Sequence, residues 1–86
     1  MGQVYGYANC SECSLTSTKI RFTNPYTRFY TEVSVQNGQL MGYVAPGSYR
    51  LTLWCVPHGK WVGVSPSMVY LTYSPQMINV VSSCSS

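Results

Sequence analysis

One stretch of the chain constrains its fold more than any other: an alternating segment that runs directly into a tight turn. Apolar and polar residues alternate with a period of two along residues 27–36, which is the spacing of a strand with one buried face. Asn37-Gly38 follows at once, and both residues tolerate the positive φ that a type I′ hairpin turn requires. Residues 39–44 are the predicted returning strand. The alternation predicts an inward side formed by Phe29, Thr31, Val33 and Val35.

The rest of the chain repeats this pattern of short strands between turn residues. No window shows helical spacing, and seven Gly and five Pro are spread along the sequence. The other predicted strands are 4–8, 18–23, 48–55, 60–64, 67–73 and 77–83. Such spacing predicts an all-β fold, a single small antiparallel β-sandwich of about seven to eight short strands over residues 1–83, with a polar tail at 84–86. The predicted core is Ile20, Phe22, Phe29, Val33, Val35, Leu51, Leu53 and Leu71.

Two segments carry a family resemblance. Val4-Tyr5-Gly6-Tyr7-Ala8 is similar to an opening strand with a central glycine. Asn37-Gly38, followed after a strand by the P-G-x-Y-x-L run of residues 46–51, is similar to a turn-and-strand signature. Together they resemble carboxypeptidase-regulatory-like and collagen-adhesin B-type modules, the prealbumin-like sandwiches, over nearly the whole chain. The resemblance implies a spacer, a stalk or a binding module rather than a catalyst.

Charge is scarce in this chain and thinly spread. Only 8% of residues are charged, against about 25% in typical domains. No two basic residues are adjacent, whereas nucleic-acid binding requires a basic patch, so we expect no nucleic-acid partner. No apolar run reaches 18 residues and the first residues lack a basic, then apolar leader. We therefore expect neither a membrane span nor a secretory signal in this sequence.

The side chains that perform acid–base chemistry are few. The chain has two carboxylates, Glu12 and Glu32, one imidazole, His58, and no aspartate. A hydrolytic triad needs an acid behind its histidine, and glycoside hydrolysis needs two carboxyl groups facing one bond. We therefore expect that the protein is not an enzyme.

The cysteines give the most specific prediction. Cys10 and Cys13 form a C-x-x-C pair, and Cys55 and His58 form a C-x-x-H pair. If successive strands are joined by hairpins, both pairs lie at the same end of the domain. Two arrangements remain open: a disulfide from Cys55 to Cys10 or Cys13, or a structural zinc ion held by all four side chains. Disulfides are typical of extracellular compartments and the zinc site of reducing ones.

The fourth cysteine, Cys84, follows the last predicted strand. With eight strands it falls at the opposite end of the domain, about 20 Å from the other cysteines, although a disulfide needs Cα atoms within about 7 Å. Cys84 is therefore the candidate for an intermolecular disulfide between copies stacked head to tail.

These observations predict a non-catalytic structural subunit or module of an extracellular or cell-surface assembly. We expect self-association into a head-to-tail homo-oligomer or a disulfide-linked filament, without a cofactor. One alternative is a secreted sandwich that binds a surface glycan or a protein through outward aromatic rings such as Tyr30 and Trp54. Another is a zinc-stabilised structural domain of a cell or virion.

Overall fold

The computed structural model describes residues 2–11, 13–56 and 58–82, and it is built from strands. The described residues contain no helix that is long and apolar enough to cross a bilayer. The all-β class is confirmed. The seven strands are β1 (Gly2–Cys10), β2 (Ser17–Thr23), β3 (Tyr30–Gln36), β4 (Gln39–Val44), β5 (Gly47–Cys55), β6 (Lys60–Leu71) and β7 (Gln76–Ser82).

The strands close into one barrel in the order β1-β4-β3-β2-β5-β6-β7, with β7 pairing back onto β1. This corrects the predicted antiparallel sandwich, because β7 runs parallel to β1 from Val4↔Gln76 to Cys10↔Ser82. The cause is the strand number. With seven strands linked end to end, the last one runs in the same direction as the first, and it pairs with the first in parallel.

The eighth predicted strand is absent because Ser65-Pro66 does not end a strand. Both residues lie inside β6. The pairing of β6 with β5 shifts there from Arg50↔Met68 to Thr52↔Gly63, which is a bulge. A bulge accommodates proline because the extra residues leave the hydrogen-bond ladder, where proline has no N–H to donate.

The barrel is flattened, since two of its seams are weakly paired. In the described part of the chain, β3 meets β4 at Val35↔Leu40 and Gln36↔Gln39, and β6 meets β7 at Ser65↔Val81. The strands between the seams form two groups, β7-β1-β4 and β3-β2-β5-β6. The overall extents are 32 × 25 × 17 Å, and the short axis accommodates two sheet layers about 10 Å apart.

Gly6 permits the close approach of β1 to β7. It has a positive φ of 148°, and a Cβ atom placed on it would overlap the carbonyl group of Ile78. Glycine is the residue that meets both conditions without strain. The parallel pairing of β1 with β7, which closes the barrel, therefore depends on Gly6, the glycine between Tyr5 and Tyr7.

All of the predicted core residues but one are buried, and Thr31, which was predicted to face inward, is half-buried. Phe29 is wrong: its side chain is 77% exposed. β3 begins at Tyr30, three residues later than predicted, because Asn24 closes a loop in which its backbone N–H donates to the Phe29 carbonyl at 2.8 Å. The buried core is Val4, Ala8, Ile20, Phe22, Val33, Val35, Leu40, Val44, Tyr49, Leu51, Leu53, Val64, Leu71, Ile78 and Val80.

Tyr49 explains why the P-G-x-Y run folds as it does. Its ring is buried and stacks edge-on against Phe22, with centroids 6.2 Å apart. Its hydroxyl donates to the Ala45 carbonyl at 2.7 Å, in the manner of a tyrosine corner. Gly47, with φ of 147°, supplies the backbone conformation that starts β5 and that other residues rarely adopt. The link that carries the chain from β4 to β5 is thereby fixed.

Candidate functional site

A disulfide at one pole of the barrel joins the two strand groups. Cys13, just beyond β1, is bonded to Cys55 at the end of β5, with Cα atoms 5.0 Å apart. Cys55 is fully buried and Cys13 nearly so. Of the partners left open for Cys55, the structure selects Cys13. A buried disulfide is typical of proteins that fold in oxidising compartments.

The other candidate ligands of a zinc ion are placed less favourably. Cys10 packs against the Cys13–Cys55 pair and is itself disulfide-bonded. His58 is exposed in the turn before β6. Among the described residues, no group of three His, Cys, Asp or Glu side chains is close enough to hold a metal ion. A sulfur in a disulfide is not a thiolate ligand, so a zinc site here first requires reduction.

Cys84 was predicted at the far end of the domain on the basis of eight strands, whereas the described residues form seven. Because β7 runs parallel to β1, Ser82 at the end of β7 pairs with Cys10. The chain therefore returns to the pole that carries the Cys13–Cys55 disulfide. Cys84 itself, with the rest of the predicted tail, lies outside the described residues.

The outward side of β7, β1 and β4 forms a surface that we call the uncharged face. Tyr5 is the centre of a row across it, with Met41 on one side and Met77 on the other. None of the described side chains that point outward from these three strands carries a charge. The uncharged face consists of Gln3, Tyr5, Tyr7, Asn9, Gln39, Met41, Tyr43, Met77, Asn79 and Val81.

A groove crosses the uncharged face where β4 leaves β3. Its volume is about 530 Å³, and Tyr5 and Tyr7 line it together with the amides Gln36 and Gln39. Gly6 is also part of the lining. The groove therefore combines aromatic rings with neutral groups that both donate and accept hydrogen bonds.

The outward side of β3, β2, β5 and β6 has a different chemistry, and we call it the cation–aromatic face. The Arg21 guanidinium lies 4.0 Å from the Tyr30 ring centroid and 4.2 Å from that of Trp61. Trp54 stacks edge-on against Trp61 at 5.2 Å. Lys19 completes the array, 5.8 Å from the Trp61 ring. Arg21 and Lys19 on this face therefore already contact rings of the same chain.

Glu32 offsets one of the two positive charges in this array. Its Oε2 accepts from Arg21 Nη2 at 2.8 Å, and its Oε1 lies 3.2 Å from Lys19 Nζ. The hydrogen bond from Arg21, assisted by Lys19, holds the pKa of the Glu32 carboxyl below its ordinary value. This carboxylate is therefore occupied as a structural anion.

Sequence reasoning found the cysteine pair but missed the uncharged face. The signal was present: Tyr5 and Tyr7, Met41 and Tyr43, and Met77 each alternate with buried residues. The sequence does not show that β1 pairs with both β4 and β7, and it is this pairing that brings these residues onto one surface. No family model, no curated protein and no solved structure matches the chain.

Proposed function

We propose that this protein is a non-catalytic structural module of an extracellular or surface assembly, and that it pairs with a second copy through the uncharged face. The observation that supports the proposal is a broad surface rich in Tyr and Met but without charge. Monomeric proteins rarely expose contiguous apolar patches of this kind without an interaction to use them. Tyr and Met are enriched in protein interfaces and charged residues are depleted at their centres.

A second copy is the partner that this chemistry favours. The polar groups on the face are amides and phenols, such as Gln39, Asn79 and Tyr43, and each of them both donates and accepts hydrogen bonds. Such groups are satisfied by the same groups on another copy. A two-fold contact brings the same surface patch of both copies together, so that residue i of one copy meets residue j of the other and the reverse. An uncharged surface does so without repulsion between like charges.

The size of the face also fits this role. The broad side of a body of 32 × 25 × 17 Å covers about 800 Å², close to the ~800 Å² that each partner contributes to a standard interface. This face-to-face contact replaces the head-to-tail stacking expected from the sequence, and it does not depend on Cys84. The prealbumin-like relationship stays a prediction.

The experiment compares two methionine substitutions on opposite faces by sedimentation equilibrium. Met41→Glu inserts a carboxylate into the uncharged face, and Met68→Glu makes the same change on β6, on the other side of the barrel. Both methionines are exposed, at 67% and 46%. We expect Met41→Glu to weaken self-association at least tenfold, since each copy must then bury a charge against its symmetry mate, while Met68→Glu leaves it unchanged.

A monomer at every concentration, or equal effects of the two substitutions, contradicts the proposal.

The groove supports a second candidate, a site for a neutral oligosaccharide, in which Tyr5 and Tyr7 stack on the sugar and Gln36 and Gln39 bind its hydroxyls. Titration of the wild-type protein with neutral oligosaccharides, monitored by amide chemical shifts, tests it. Saturable shifts confined to the groove in a monomeric protein favour this candidate over self-association.

A further inference from the structure

Two loops at the pole opposite the Cys13–Cys55 disulfide carry highly exposed aromatic rings. Tyr26 and Phe29 lie between β2 and β3 and are 88% and 77% exposed, and Tyr73, between β6 and β7, is 76% exposed. Strands β2 and β6 are the two neighbours of β5, so the loops leave the barrel about 10 Å apart. We call these three rings, with the adjacent Arg28 and Arg50, the aromatic pole.

One amide side chain orders each of these loops. Asn24 Oδ1 accepts hydrogen bonds from the backbone N–H groups of Tyr26, at 2.8 Å, and Thr27, at 3.1 Å. Gln76 Oε1 accepts from the backbone N–H of Thr72 at 2.6 Å and from its hydroxyl at 3.2 Å. The rings are therefore presented by loops with fixed hydrogen bonds, which lowers the entropy lost when a partner binds.

The first loop also holds a strained residue. Arg28 has a φ of +66°, a region that residues other than glycine seldom adopt, and its backbone N–H donates to the Asn24 carbonyl at 2.8 Å. Strained residues of this kind cluster at functional sites. Among the described residues, neither Arg28 nor Arg50 has a carboxylate partner, so the aromatic pole presents uncompensated positive charge.

We propose that the aromatic pole docks onto the surface of an anionic lipid bilayer. Exposed tyrosine and phenylalanine rings insert at the boundary between the apolar core of a bilayer and its polar headgroups. Phe29 has no hydrogen-bonding group on its side chain, and its ring is exposed at the base of the loop, directly before β3, instead of lining a groove of the kind that binds a sugar. The two arginines are attracted to anionic headgroups. The uncharged face stays free in this arrangement, so the proposal stands apart from the self-association proposed above.

The test is co-sedimentation of the full disulfide-bonded chain with phosphatidylcholine vesicles, with and without phosphatidylglycerol. We expect binding to the anionic vesicles, weakened by added salt, and little binding to neutral ones. Arg28→Gly suits the positive φ and removes one charge; because a basic residue at such a surface contributes about 1 kcal/mol, binding falls about fivefold. Phe29→Ser lowers binding by a similar or larger factor. Val56→Ser is the control: Val56 is 46% exposed directly after Cys55, at the pole of the Cys13–Cys55 disulfide, so this change leaves binding unchanged.

Thermal unfolding of each variant verifies that it is folded. The absence of binding to anionic vesicles overturns the proposal, as does equal binding to neutral ones. Binding that survives both Arg28→Gly and Phe29→Ser also overturns it, because the aromatic pole then plays no part. If the two variants instead lose binding to a soluble sulfated polysaccharide while vesicles do not bind, the pole recognises polysaccharide and the bilayer proposal is wrong.

Discussion

The two broad faces of this barrel both expose aromatic or large apolar side chains to solvent, but they differ in whether other side chains of the protein cover them. On the cation–aromatic face, Arg21 covers the rings of Tyr30 and Trp61 and is itself paired with Glu32, so these rings have partners within the chain. On the uncharged face, Tyr5 lies between Met41 and Met77, and no cation of the described residues covers them.

The difference separates a surface that stabilises the fold from one that is open to a partner. Cation–π contacts and ion pairs at an exposed site contribute modestly to stability and are complete in the monomer. Apolar side chains without such contacts gain most when a partner removes them from water. The number of exposed aromatic rings in a small protein therefore says less about partner binding than whether each ring already has a partner within the chain.

The largest expected effect concerns the bond that joins the two strand groups. Replacing Cys13 and Cys55 together with Ala removes a cross-link between residues separated by 42 positions, which is worth about 4 kcal/mol in the chain-entropy model. We expect the free energy of unfolding in urea to fall by about that amount. The wild-type protein under reducing conditions should lose at least as much stability, because reduction also breaks the disulfide bond at Cys10. An unchanged urea midpoint would show that the two faces hold together without the disulfide.

A smaller effect distinguishes the faces directly. Arg21→Ala removes an ion pair and two ring contacts, and we expect a loss of about 1 kcal/mol in the free energy of unfolding. Met41→Ala, on the uncharged face, should change monomer stability by less than about 0.5 kcal/mol. Urea unfolding at a concentration where the protein is monomeric measures both. Equal losses would mean that the uncharged face also contributes to monomer stability.

The smallest expected effect is a pH dependence confined to the cation–aromatic face. Since Arg21 and Lys19 lower the pKa of Glu32 in the folded state, its contribution is complete above the unfolded-state pKa and is lost as pH falls through the lowered folded-state pKa. For an exposed ion pair this amounts to a few tenths of a kcal/mol. We expect Glu32→Gln to flatten the decline of the urea midpoint between about pH 6 and about pH 3. A variant that declines as steeply as the wild type would contradict this role.

Much of the local structure follows from the sequence. The Asn37-Gly38 turn lies between β3 and β4 as predicted, and alternation in β2 and β5 identified Ile20, Phe22 and Leu53 as buried. Phe29 was misassigned because the same alternation continues into the loop that Asn24 closes. A period of two describes which side chains share a face, but it does not specify where the strand begins.

The sequence by itself determined the all-β class, the hairpin, most of the core and the pole at which Cys55 finds its partner. The tertiary structure decided that β6 continues through Ser65-Pro66, that β7 joins β1 in parallel, and that Cys13 is bonded to Cys55. It also brought Tyr5, Met41 and Met77 from three distant segments into one row. The physical reason is that strand alternation is a local property, whereas the choice of neighbouring strands depends on which arrangement buries all the inward faces at once.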